Sequence, residues 1–156
     1  MNVAVNTESL KQSERGAILG EIFVNVGQDQ FPESNWNDFV VVVLTWWCTE
    51  CAALLRGTSQ AELSFMDGPF FLDLQALSKD EWSVRFLRHR YAASPTMVES
   101  VPASGLPDGL RIRPGTFVSS VASTSDVVLT ECGRRGWITP EVDELKRGLE
   151  LLRSYL

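Results

Sequence analysis

The sequence predicts an α+β fold, a mainly antiparallel sheet of about four strands with three helices packed on it. Three observations predict it. Apolar residues alternate at period two in several short runs, and they recur at helical spacing in others. Along the chain the order reads strand, helix, three strands, long loop, two helices, which does not alternate as a parallel α/β sheet requires. At 156 residues and 44% hydrophobic content, the chain suits one domain with a sizeable core.

Residues 1–15 are polar and show no sustained periodicity, so a flexible N-terminal tail is expected ahead of a single domain over 16–156. In AILGEIFVNVG, the residues Ile18, Ile22, Phe23, Val24 and Val26 form a β-branched and aromatic run that reads as a first strand ending at Gly27. QDQFPESN follows as a polar loop. The next element reads as the clearest helix. Ser34 or Asn35 is placed to cap it, and Asp38 falls three residues after Asn35 in a variant of the capping box. Trp36, Phe39, Val40, Val43, Trp47, Cys51 and Leu54 then recur on one helical face, and Gly57 supplies the left-handed stop.

AELSFM, FFLDLQAL and WSVRFLRHR each alternate and read as an antiparallel meander. In the middle strand Phe70, Leu72, Leu74 and Ala76 point to the core, and Phe71, Asp73 and Gln75 point away from it. Ala92 to Pro114 holds four of the seven prolines and reads as a long surface loop, with a short strand around Leu110 to Ile112 as an option. Thr116 to Cys132 fits a helix that Gly133 would stop. Its serines and threonines leave a strand open as the alternative. The final helix is capped by Thr139, takes Pro140 at its first position and buries Val142, Leu145, Leu149 and Leu152.

The formal net charge is −6, with Glu and Asp outnumbering Lys and Arg by 20 to 14. Such a surface repels nucleic-acid phosphates and anionic membranes and favours basic partners. The start of the chain lacks an apolar signal segment, and the longest apolar run is too short to span a bilayer, so a cytoplasmic protein is expected. Three cysteines do not make a disulfide framework and suit a reducing compartment.

Few constellations carry chemistry. Cys48 and Cys51 form a CxxC pair, but mid-helix, away from the dipole that activates redox cysteines, so they read as small buried residues. Cys132 and His89 are the only spare soft ligands, and no metal site is expected. His89 is the single histidine and sits between Arg88 and Arg90, which suits a solvated strand end. No phosphate-binding glycine loop, zinc-protease motif or calcium loop occurs, and no cofactor is expected. The segment FMDGPFFLDL is the most loaded. Asp67-Gly68 signals a hairpin, yet Pro69 lacks the N–H that closes a two-residue loop, so the turn is longer or open. Acid–base work or magnesium binding by Asp67 and Asp73 is one reading, and a turn beside a solvated sheet face is the bland one. A partner surface built from Asp67, Phe71 and Asp73, with Glu62 on the neighbouring strand, is the functional reading preferred here. No catalytic residue is assigned.

FPESNWNDFVVVVLTWW, ELSFMDGPFFLDL and ECGRRGWITPEVDELKRGLELL together resemble the small acidic immunity proteins that bacteria make against secreted polymorphic toxins. The resemblance spans Gly16 to Leu156 and rests on size, acidity, layout and a tryptophan-rich core rather than on a motif. It implies a non-enzymatic protein that binds a cognate toxin, for instance a basic nuclease domain, and blocks it; it carries over no site residues. The alternatives are a small enzyme with a carboxylate-based or His89-based site, and a structural or adaptor subunit.

Overall fold

A computed structural model describes residues 1–91, 98–103 and 105–156. The fold is α+β, with three helices and antiparallel strands, but the strands form two sheets of four and five rather than one of about four.

The first correction concerns the expected N-terminal tail. Asn2–Gln12 is strand β1, paired antiparallel with β2 (Ile18–Val26). The register runs from Asn2 opposite Asn25 to Asn6 opposite Glu21, and resumes at Lys11 opposite Leu19. Residues 7–10 therefore bulge out opposite Gly20. In a regular strand Val3 and Leu10, an odd number of residues apart, face opposite ways; the bulge turns both inward, and both are buried. Ser9 Oγ holds the bulge by accepting from Glu21 N at 2.8 Å and donating to Asn6 O at 2.6 Å. Gly20 leaves the necessary room: a Cβ there would lie 2.7 Å from Leu10 Cδ2.

The first sheet is completed by β3 (Asp29–Phe31) and β4 (Asn37–Asp38), both paired with β2. This pairing corrects the start of the first helix. Ile22 N donates to Trp36 O at 2.9 Å, and Glu21 and Gly20 pair with Asn37 and Asp38. The segment is thus drawn into the sheet, and α1 (Val40–Arg56) begins after it with Phe39 at its N-cap and no side-chain cap. Ser34 and Asn35 do not cap, and Trp36 precedes the helix. The predicted stop holds: Gly57 is left-handed at φ 118°.

The meander is as expected. It comprises β5 (Gln60–Ser64), β6 (Phe70–Ala76) and β7 (Trp82–Tyr91), with the paired residues directly opposed in an unbroken register. Two further strands, β8 (Val98–Pro102) and β9 (Leu110–Ile112), pair with β7 and complete the second sheet. The optional strand at Leu110 to Ile112 is present as β9, and the stretch read as a loop also contains β8, which was not expected; residues 92–97 and 104 within it lie outside the described residues.

Thr116 to Cys132 is helical, inside α2 (Pro114–Arg135). Three of its hydroxyls make hydrogen bonds. Ser120 Oγ accepts from Val3 N at 2.7 Å, Thr124 Oγ1 donates to Val3 O at 3.2 Å, and Ser125 Oγ donates to Val121 O at 2.9 Å. The helix runs past Gly133 and stops at Gly136, φ 68°. Thr139 caps α3 (Pro140–Arg153) by accepting from Val142 N, as expected.

Helix α1 contacts β2 of one sheet and β5 of the other, α2 lies on β1, and α3 packs on α1 and α2. The buried side chains of both sheets and all three helices form one continuous apolar cluster. Phe31 joins the sheets, meeting Phe65, Phe70 and Phe86 edge-on at centroid distances of 5.3 to 5.8 Å. Among the described residues no helix is long and apolar enough to cross a membrane.

Candidate functional site

The inner face of the second sheet is core, with Leu63, Leu72, Leu74, Val84 and Phe86 buried on it. Its other face carries polar side chains, and the register sorts them into rows. One row reads Glu62, Asp73, Arg85, and the next Ser64, Phe71, Leu87.

Asp73 lies at the centre of the first row. Its Oδ2 receives both Nε (2.9 Å) and a terminal nitrogen of Arg85, and its Oδ1 receives Gln60 Nε2 at 2.7 Å. In the second row, Phe71 lies under the imidazole of His89, which stacks on it at 4.4 Å and 24°. Glu62 links the rows: its Oε1 accepts from Ser64 Oγ at 2.7 Å and lies 3.8 Å from His89 Nε2. The hydroxyl of Ser64 therefore points at Glu62 and not at His89.

Burial corrects part of the expected partner surface. Phe71 and Asp73 do face away from the core, yet they are only 3% and 6% exposed, because their neighbours on the same face fold over them. The groups offered to solvent are the ones on top. The side chains of Glu62, Arg85 and His89 are 47%, 51% and 42% exposed. Alternation placed Phe71 and Asp73 on the correct face, but it cannot say that long side chains from adjacent strands will cover them. Arg85 was legible only as a position on an alternating strand, and His89 as the single histidine at a solvated strand end.

Asp67 is exposed at the tip of the β5–β6 hairpin, away from these rows. The hairpin is longer than two residues, as Pro69 demands: Phe65 N bonds Phe70 O at 3.0 Å, and Pro69 contributes only its carbonyl, to His89 N at 2.8 Å. The tip is tied down by its backbone. Asp67 N donates to both carboxylate oxygens of Asp38, at 3.0 and 3.1 Å. Asp38 is fully buried and also accepts from Phe39 N at 2.7 Å and Trp36 Nε1 at 3.1 Å. Burial pushes its carboxyl above the ordinary range, while these three N–H donors pull the other way and the nearby Asp67 charge adds to the rise. Gly68 is left-handed at φ 92°, and a Cβ there would come within 2.8 Å of the Trp36 ring. Asp38 is the residue that sequence reasoning missed; its only signal was its misread position as part of a helix cap.

The three cysteines are free and buried. Burial pushes the Cys48 thiol up to about 11 and raises those of Cys51 and Cys132, so all three are protonated and unreactive near neutrality. Among the described residues no cluster of three His, Cys, Asp or Glu side chains is placed to hold a metal ion. Arg134 and Arg135 lie in the last turn of α2, where both engage Glu131 and hold its carboxyl down at about 2. Arg135 does more: it donates to Leu10 O at 2.6 Å and Thr7 O at 2.9 Å, and stands 4.8 Å over the Trp137 ring.

What the sheet face can do chemically is present a fixed pattern of one cation, one carboxylate and one imidazole above a buried ring. Comparison with protein-family models, with curated proteins and with solved structures finds no match for the chain.

Proposed function

We propose that the chain is a non-enzymatic, protein-binding inhibitor: an immunity protein that neutralises a cognate bacterial toxin in the cytoplasm of the cell that makes both. The observation that carries this reading is the outer face of the second sheet. Glu62, Arg85 and His89 are held in register by hydrogen bonds and stacking to Asp73, Ser64 and Phe71, so a contact pattern is presented at small entropic cost. The net charge of −6 steers the protein toward a basic partner such as a nuclease domain. The test is to look beside its gene for a secreted-toxin gene and to co-express the two; a neighbourhood without one counts against the proposal. Restored growth is expected, and the triple variant Glu62→Ala, Arg85→Ala, His89→Ala should lose it while staying folded. Growth arrest that the wild-type chain does not relieve sinks the proposal.

A second reading has one observation in its favour. His89 Nε2 lies 3.8 Å from Glu62 Oε1, a spacing that suits an acid–base pair when a substrate tightens it. A small enzyme using this pair requires a turnover that both His89→Ala and Glu62→Gln abolish.

A further inference from the structure

The outer row of the sheet is electrostatically unfinished at one end. Reading across the strands it runs cation, carboxylate, carboxylate: Arg85, Asp73, Glu62. Asp73 is satisfied by Arg85 and Gln60. Glu62 has a hydroxyl donor in Ser64 and the imidazole at 3.8 Å, and on its far side the sheet ends, because β5 is the terminal strand.

That end is also open along the backbone. Ser59 O bonds Ala76 N at 2.9 Å and Phe65 N bonds Phe70 O at 3.0 Å, so the odd-numbered residues of this strand exchange bonds with β6. By the alternation of an antiparallel ladder, Gln60, Glu62 and Ser64 turn their N–H and C=O groups outward. The indole of Trp47 takes Ser64 O at 2.9 Å and closes one end. Among the described residues no strand pairs with the remainder.

We propose that β5 is a strand-addition site, and that it takes an extended segment of another protein with an arginine or lysine opposite Glu62. The inference rests on the partner-binding reading above and names how the partner engages. Charge selects the occupant. A partner residue paired directly with Glu62 lies on the same face, so a cation there turns the row into plus, minus, minus, plus. A second copy of this chain pairing antiparallel about the centre of β5 would set Glu62 against Glu62, a like-charge contact that disfavours self-association.

The probes are capped peptides of sequence Thr-Val-Arg-Val-Thr and Thr-Val-Glu-Val-Thr, added to the full chain. The expected result is slowed amide exchange at Gln60 and Glu62 with the arginine peptide, which binds at least about fivefold more tightly than the glutamate one. Glu62→Lys should reverse the preference, and it replaces an exposed side chain, so the fold survives. Binding that ignores the central charge, or slowed exchange only elsewhere, overturns the proposal. So does a wild-type dimer in sedimentation with these amides protected, since β5 then takes a second copy. The two readings fail separately. If strand addition is wrong while inhibition is right, the wild-type chain still protects cells and both amides exchange freely in the toxin complex. If inhibition is wrong, peptide selectivity persists and protection is absent.

Discussion

Replacing Asp38 by alanine removes one side chain and strands three donors. Trp36 Nε1, Phe39 N and Asp67 N all give their hydrogen bonds to this carboxylate. A buried donor left without an acceptor costs about 1–3 kcal/mol. Trp36 and Phe39 are half-buried and Asp67 sits on an exposed tip, so water recovers part of the loss. The expected total is about 2–4 kcal/mol, a large share of the roughly 5–15 kcal/mol that holds a domain of this kind together. The pH dependence has its own sign. The folded state raises this carboxyl, so it binds a proton more tightly than the unfolded chain. Its contribution is fully present below the unfolded carboxylate range and is lost as pH rises through the raised folded value. Urea unfolding followed by tryptophan fluorescence from pH 4 to 7 measures both effects. Asp38→Ala should lower the midpoint at every pH. Asp38→Asn, which cannot titrate, should lack the part of the wild-type slope that falls with rising pH. A loss below about 1 kcal/mol in Asp38→Ala, or an unchanged slope in Asp38→Asn, refutes the assignment of Asp38 as the joint between the hairpin, the first sheet and α1.

Phe71→Ala should cost about 1.5–3 kcal/mol in chemical denaturation, because it removes a ring buried on the outer face under His89; a cost within about 0.5 kcal/mol would mean the ring is solvated after all. Gly20→Ala pushes a methyl against the buried Leu10 side chain and should lower stability by about 1–3 kcal/mol, read as a drop in melting temperature. Arg135→Ala should cost roughly 2–3 kcal/mol by releasing Thr7 O and Leu10 O, and proton exchange should rise in β1 before it rises in β7. At pH 8 the native protein should leave all three thiols unlabelled by a disulfide reagent and release them only on unfolding; rapid native labelling of Cys48 would contradict its burial.

The elements with an undisturbed period were legible. β2, the three-strand meander and α3 lie where alternation, caps and turn residues place them. The misread elements break their own period for a physical reason. In β1 the bulge puts the two buried residues an odd number of positions apart, so no alternation survives in the sequence. The residues before α1 carry cap chemistry, but edge pairing with β2 overrides it, and β3 is too short to show a period. In the candidate site the facing of Phe71 and Asp73 was readable and their cover was not. That cover depends on Arg85 and His89 reaching across strands, which only the register reveals. Asp38 was opaque because its third donor, Asp67 N, lies 29 residues further along, across the first helix.

The order in which the chain leaves the ribosome gives the clasp on β1 a further meaning. β1 and β2 are neighbours in sequence and can zip together as soon as they emerge. The outer edge of β1 is closed by Ser120, Thr124 and Arg135, groups 117 to 128 residues further along. Until those residues are synthesised, the nascent hairpin shows a bare edge, the condition in which strands recruit wrong partners. Final locking of the first strand is therefore one of the last long-range events in folding, and the molecule depends on its C-terminal third to protect what its N-terminus makes first.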